Sequence, residues 1–189
     1  KNEKPFFAVV WFHAPHLPVV AGQKHRELYP NHPFGLYGQH YSGCISAIDD
    51  AMGKLCSTLE SCEVAENTML WFCSDNGPES SAKNGAGSAG DFRGRKRDLY
   101  EGGVRVPAFL VWPNQVKQDR ETNHPCVTSD YFPTIIDVLG LDMPKRPYDG
   151  ISLLPLIKQN AQQRNHQLTH EQSANLLTSL SKRELEVFN

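Results

Sequence analysis

A chain of 189 residues is long enough to bury one substantial core, so we expect a single domain rather than two. Hydrophobic residues at 39% and charged residues at 21% are ordinary for a globular protein and name no function. The formal net charge of -2 and the shortness of the basic cluster at residues 93–97 argue against nucleic acid as a partner. No apolar run reaches the roughly 18 residues that a membrane span needs. Five cysteines without a CxxC pair indicate neither a disulfide framework nor a structural zinc site.

The first half of the chain predicts a strand, a loop and a helix. Residues 6–12 read FFAVVWF, a continuous apolar run typical of a strand buried on both faces of a parallel sheet. Because the chain starts almost directly on this strand, we expect that further sequence precedes Lys1. Four prolines then predict a long irregular loop over residues 13–37. From Tyr41 to Leu59 the apolar residues recur at helical spacing and predict an amphipathic helix of about five turns.

The second half continues the alternation of strands and helices. Residues 68–73, TMLWFC, predict a second buried strand that ends on the sequence SDNG. A glycine-rich stretch over residues 85–103 precedes a third strand at residues 108–112. Residues 131–139 have helical spacing closed by Gly140. This order predicts an α/β fold with a largely parallel sheet flanked by helices.

Polar side chains follow two of the predicted strands. His13 and His16 come after the first strand, and Asp75 and Asn76 come after the second. Ligands of open α/β sheets gather beyond the carboxyl ends of the strands, where the crossover loops converge. The sequence therefore hints at one site that these side chains share.

Asp75 and Asn76 place a carboxylate beside an amide oxygen, a pair suited to a hard cation such as Ca²⁺ or Mg²⁺. Asn-Gly is also the commonest hairpin-turn dipeptide, so a plain turn is the competing interpretation. Calcium takes about six to eight oxygen ligands. No comparable acidic cluster follows another strand, so the pair would need further ligands from elsewhere.

His13 and His16 lie in the proline-stiffened sequence HAPHLP. Near neutral pH, such histidines can donate to an anionic oxygen or protonate a leaving group. The alternative is that both only satisfy the backbone of the loop. A zinc pair is disfavoured because a third protein ligand and the HExxH pattern are missing.

Residues 94–107, GRKRDLYEGGVRVP, combine cations with glycines that allow a ligand to approach the backbone closely. A lysine such as Lys96 can bind an oxyanion as a point charge. A solvated basic surface is the competing interpretation, and the glycine pair before a strand argues modestly against it.

Taken together, the three clusters resemble the sulfatase family in order and spacing over about residues 5–157. Asp75-Asn76 resembles the metal-binding pair of the family, and Lys96, four residues before Tyr100, resembles its substrate-binding lysine. His16 resembles the active-site histidine, and His13 matches a second histidine that only some members carry. Residues 149–154, DGISLL, resemble a segment that we interpret as structural.

The resemblance implies an alkaline-phosphatase-like α/β sandwich that hydrolyses a sulfate ester to an alcohol and inorganic sulfate. It assigns His16 and Lys96 to catalysis, and His13, His16 and Lys96 to substrate binding. Asp75 and Asn76 would bind one divalent cation, Ca²⁺ rather than Mg²⁺. The family nucleophile is a formylglycine made within a C/S-x-P-x-R motif, and this sequence lacks that motif. The paired aspartates near the family's N-terminus are also missing, so we expect the isolated chain to be catalytically silent.

Other functions stay open at this point. One is a phosphatase or phosphodiesterase of the same superfamily, and another is a non-catalytic remnant that binds anions or a partner. For a sulfatase, we expect a sulfated carbohydrate or aryl sulfate as substrate and a secreted, periplasmic or lysosomal location. We expect residues 1–157 to form the C-terminal portion of the catalytic domain and residues 158–189 to form a polar tail that is helical or disordered.

Overall fold

The computed structural model describes residues 4–79, 86–116 and 119–158 of the chain. The chain divides into two compact units, Lys1–Pro113 and Asn114–Asn189, where composition predicted one domain. The predicted polar tail lies outside the described residues from position 159 onward. None of the described helices is both long and apolar enough to span a lipid bilayer.

The predicted strand at residues 6–12 is wrong for the described structure. These residues form no regular secondary structure, and no described segment pairs with their backbone. Their side chains are open to solvent, with Phe7 74% and Trp11 90% exposed. A strand needs a neighbour that takes up its backbone hydrogen bonds, and the apolar run alone does not supply one.

Two helices precede the first strand. Helix α1 spans Gln23–Arg26, inside the loop predicted for residues 13–37. Helix α2 spans Gly35–Ser61 and confirms the predicted helix, although it begins six residues earlier than the apolar stripe. The two helices pack closely because Gly43 of α2 has no side chain to keep the backbone of α1 away. Just after α1, the hydroxyl of Tyr29 forms a hydrogen bond of 2.6 Å with the hydroxyl of Ser46 in α2.

A short 3₁₀ helix, Ala65–Asn67, leads to strand β1 at Leu70–Cys73, and strand β2 follows at Ala108–Val111. Both strands were predicted, but they pair antiparallel, with Leu70 opposite Val111 and Cys73 opposite Ala108. The chain between them contains only one described helix, α3 at Glu101–Val104, which is too short to act as a crossover. The parallel sheet is therefore not confirmed, since the described residues show a two-stranded antiparallel sheet.

The second unit is held by a buried polar network. A 3₁₀ turn at Thr128–Asp130 leads to helix α4, Tyr131–Val138, and helix α5 spans Leu154–Lys158. The helix predicted at residues 131–139 is confirmed, and Gly140 closes it with a φ of +63°. The hydroxyl of Thr134, which is fully buried, donates to the Asp130 carbonyl and accepts from the Leu153 amide. This network agrees with the interpretation of residues 149–154 as structural.

Candidate anion and metal site

The loop after β1 carries the two predicted metal ligands. The amide of Ser74 donates to the carbonyl of Pro107 at 3.1 Å, so the pairing of β1 with β2 continues one step beyond the strands. The hydroxyl of Ser74 then donates to the Asn76 carbonyl at 2.9 Å, and the Asn76 amide donates to Asp75 Oδ1 at 3.0 Å. These bonds define a tight turn in which Asp75 is exposed and Asn76 is half-buried.

This turn lies directly against the glycine pair of α3. The Gly77 amide donates to the carbonyl of Gly103 at 2.8 Å. A Cβ atom added to Gly77 would overlap the carbonyl oxygen of Gly102, so only glycine allows this approach of the two backbones. The close packing against Gly102 explains the glycine of SDNG, whereas Gly102 and Gly103 have no room for a Cβ atom because the backbone of residues 93–98 lies against them.

A second backbone bond joins the turn to the lysine segment. The amide of Lys96 donates to the carbonyl of Pro78 at 3.2 Å. The structure therefore brings the segment of Asp75 and Asn76 together with the segment of Lys96, as their predicted roles require.

The basic residues around Lys96 already have partners. Arg93 lies over the ring of Tyr100, with 3.8 Å from its guanidinium carbon to the ring centroid. Arg105 pairs with Glu101 at 3.0 Å, and Arg97 pairs with Glu79 at 2.5 Å; Arg95 also makes a side-chain or backbone interaction. The contacts of Arg93, Arg97 and Arg105 leave their guanidinium groups less available to an incoming anion.

Lys96 differs from these arginines. It is half-buried, whereas the arginines at 93, 95 and 97 are exposed. Its ammonium has no hydrogen-bond or ion-pair partner among the described residues. A partly buried cation without a partner is suited to bind an anion as a point charge.

The Glu79–Arg97 pair was missed by the sequence analysis. The hydrogen bond from Arg97 lowers the pKa of the Glu79 carboxyl below its ordinary value, and the charges of Lys96 and Arg95 act in the same direction. The same hydrogen bond raises the pKa of Arg97. The sequence signal for this pair was the opposite charge of Glu79 and Arg97, which lie in two loops that contain glycine. These charges predict an ion pair only once the two loops are known to lie against each other.

His13 and His16 form a separate small cluster. The amide of His16 donates to the His13 carbonyl at 2.9 Å, and the two exposed rings lie 5.4 Å apart between centroids. The carbonyl of Leu17 lies 2.9 Å from His16 Nδ1, which must donate because a carbonyl only accepts. This bond occupies Nδ1 of the exposed ring, so Nε2 is the other ring nitrogen that could bind a partner. No hydrogen bond or ring contact within the described ranges joins the histidines to Asp75, Asn76 or Lys96.

The chemistry of Asp75 and Asn76 fits a hard cation. The side-chain oxygen Oδ1 of Asn76 is buried and has no hydrogen-bond partner among the described residues. A buried oxygen without a partner is costly unless something else binds it. The neighbouring carboxylate of Asp75 supplies charge. Within the described residues, no group of three or more histidine, cysteine, aspartate or glutamate side chains could hold a metal, so this pair would be part of a larger ligand set.

Comparison with known proteins identifies the family. A family model described as Sulfatase matches residues 1–141. The chain therefore belongs to the sulfatase family, whose members hydrolyse sulfuric esters.

Individual relatives agree with this assignment. The chain is 36% identical to N-acetylgalactosamine-6-sulfatase of Canis lupus familiaris over 81% of its own length, and 32% identical to human arylsulfatase A over 83%. It spans only 28% and 29% of the lengths of these two relatives. Among solved structures it is similar to Ps i-CgsB in complex with k-i-k-neocarrahexaose. That match has a TM-score of 0.67 and 30% identity and covers 75% of this chain and 31% of the other. This likeness supports an alkaline-phosphatase-like α/β fold.

Proposed function

We propose that this chain carries part of the active site of a sulfuric ester hydrolase, with Lys96 as its sulfate-binding cation and Asp75 and Asn76 as ligands of one Ca²⁺ ion. The proposal is carried by one observation: the buried Oδ1 of Asn76 and the ammonium of Lys96 have no partner among the described residues, and a backbone hydrogen bond joins their two segments. An amide oxygen and an ammonium are complementary to a cation and to an anionic ester, respectively.

The chemical roles follow from the atoms that each residue presents. Lys96 neutralises an oxygen of the sulfate group, more strongly as the leaving oxygen gains charge. His16 donates from Nδ1 to the Leu17 carbonyl, so its Nε2 carries a proton only in the imidazolium form; in that form Nε2–H donates to a sulfate oxygen or protonates the leaving alkoxide, and His13 beside it assists binding. A divalent cation bound by Asp75 and Asn76 would supply positive charge that polarises the sulfate ester. No cysteine or serine lies in the formylglycine motif, so the 189-residue chain alone has no turnover.

For the substrate, we infer a sulfate ester on a carbohydrate. The support is the name of one relative, N-acetylgalactosamine-6-sulfatase. The second candidate substrate is a simple aryl sulfate, which the name of another relative, arylsulfatase A, supports. Such a compound is also a convenient chromogenic probe. A secreted, periplasmic or lysosomal location remains a prediction from the family.

Calcium binding tests the role of Asn76. In the purified chain, Ca²⁺ should raise the melting temperature, because a ligand that binds only the folded state stabilises it. The Asn76→Leu variant should lose this response. Without Ca²⁺ the variant should be as stable as the wild type or more stable, since it removes a buried oxygen that has no hydrogen-bond partner in the described part of the chain.

Asn67→Leu, at an exposed position outside the site, is the matched control and should respond to Ca²⁺ as the wild type does. An equal response in Asn76→Leu would contradict the metal role. Turnover of a chromogenic aryl sulfate by the 189-residue chain would separately contradict its predicted silence.

A further inference from the structure

Lys96 lies in a tight turn with an unusual backbone. The amide of Asp98 donates to the carbonyl of Arg95 at 2.9 Å and closes a four-residue turn with Lys96 and Arg97 at its centre. Arg97 has a φ of +80°. A positive φ at this third position is the mark of a type II turn, where glycine is strongly favoured.

Arginine is a poor residue for this conformation. A side chain at positive φ brings Cβ close to the backbone, so non-glycine residues adopt it only when their surroundings hold them there. In the described part of the chain, only Glu63 and Arg97 are non-glycine residues with positive φ. Arg97 directly follows the proposed anion-binding lysine, so its conformation sets the path of the chain at Lys96.

The contact that holds Arg97 comes from the loop after β1, which carries the proposed metal ligands Asp75 and Asn76. Arg97 Nη1 donates to Glu79 Oε1 at 2.5 Å. The residue before Glu79, Pro78, accepts the backbone bond from Lys96 at 3.2 Å. Two consecutive residues of one turn therefore bind two consecutive residues of the other, once through the backbone and once through an ion pair.

We propose that Glu79 and Arg97 form a clasp that positions the ammonium of Lys96 relative to Asp75 and Asn76, without either of them touching the anion. The inference rests on the proposed role of Lys96 as the sulfate-binding cation. Glu79 and Arg97 are thus positioning residues. Both are partly exposed, and exposed ion pairs add little to global stability. The clasp acts on anion affinity, while the melting temperature stays nearly constant.

The test is calorimetric titration of inorganic sulfate, in the presence of Ca²⁺, into the purified chain and its variants. Glu79→Gln and Arg97→Gln should each weaken sulfate binding by about three- to fivefold, because a partly exposed pair cannot pre-organise Lys96 by more than the small free energy that it contributes. The double variant should be no weaker than either single variant, because both remove the same contact. Arg97→Lys, which keeps the cation, should recover most of the affinity.

Two further variants separate the effect of the clasp from the loss of any exposed ion pair and from relief of backbone strain. Glu101→Gln breaks the pair of Glu101 with Arg105, an exposed i,i+4 pair at helix α3, and should leave sulfate affinity within about twofold of the wild type. Arg97→Gly relieves the strain but removes the ion pair, so it should lose affinity despite having the better residue for the turn. Wild-type affinity in Arg97→Gly, or equal effects of Glu79→Gln and Glu101→Gln, would overturn the proposal.

Amide hydrogen exchange distinguishes failure of the clasp from failure of the proposed function. If sulfate binding by the wild type does not depend on Lys96, as judged with Lys96→Met, the proposed function fails. The clasp still requires that Glu79→Gln speed exchange at the amides of Lys96 and Asp98, and that Glu101→Gln does not. Unchanged exchange at both amides in Glu79→Gln would overturn the clasp independently.

Discussion

Replacing Gly77 with alanine tests the close approach of the loop after β1 to helix α3. The added methyl group would overlap the carbonyl oxygen of Gly102, which is backbone and has little freedom to move. Overpacking of this kind costs about 1–3 kcal/mol. Separation of the loop from α3 would also break the 2.8 Å bond from the Gly77 amide to the Gly103 carbonyl, worth about 1 kcal/mol. We therefore expect Gly77→Ala to lower the free energy of unfolding by about 2–4 kcal/mol.

Gly53→Ala provides the matched control for this experiment. Gly53 lies within α2, and a Cβ atom there would meet nothing within 4 Å. Alanine is the better helix former, so this variant should gain about 0.5–1 kcal/mol. Urea unfolding followed by tryptophan fluorescence measures both changes. If the free energies of unfolding of the two variants differ by less than about 1 kcal/mol, the backbones of the loop after β1 and of α3 do not approach as described.

Two other predictions concern contacts outside the site. Lys24 and His25 hydrogen-bond to Asp50 and lower its pKa from 3.8 to about 2, so the ionised carboxylate stabilises the folded state above about pH 4, and this stabilisation is lost as the pH falls through about 2. Over this pH range, the stability of Asp50→Asn should therefore fall less steeply than that of the wild type. Identical dependence of urea unfolding on pH in the two proteins would refute the linkage. Thr134→Val leaves the buried Leu153 amide without its acceptor and should lower the free energy of unfolding, measured in urea, by about 1–3 kcal/mol. Thr58→Val removes an exposed hydroxyl and serves as the control. An equal or smaller loss of stability in Thr134→Val than in this control would show that the network is not stabilising.

The parts of the fold that depend on local sequence could be predicted. Helix α2 follows from the apolar spacing between Tyr41 and Leu59, and helix α4 follows from the same kind of spacing ended by Gly140. Strand pairing is a non-local property. The apolar run at residues 6–12 predicts burial, yet its pairing depends on a partner segment that its own sequence does not specify. The antiparallel pairing of β1 with β2 likewise depends on how the intervening loop folds back.

Some residues of the candidate site could be predicted from the sequence, and others could not. Asp75, Asn76 and Lys96 could be proposed from residue type and resemblance, and the structure shows that their segments are bonded together. The clasp between Glu79 and Arg97 could not be proposed, because its two residues are separated by 18 positions and meet only through the packing of glycine backbones. The assignment of the histidines to the same site rests on resemblance, and their catalytic role stays a prediction.

The most direct measurement is the affinity of the chain for inorganic sulfate, determined by titration calorimetry with Ca²⁺ present in wild type, Lys96→Met and Lys54→Met. Lys54 is exposed on α2, so its replacement removes one positive charge without changing the site. We predict that Lys96→Met weakens sulfate binding by at least about tenfold, the loss of one charge-assisted contact, while Lys54→Met binds as the wild type does. Equal affinities in all three proteins would contradict the assignment of Lys96 to a sulfate-ester site.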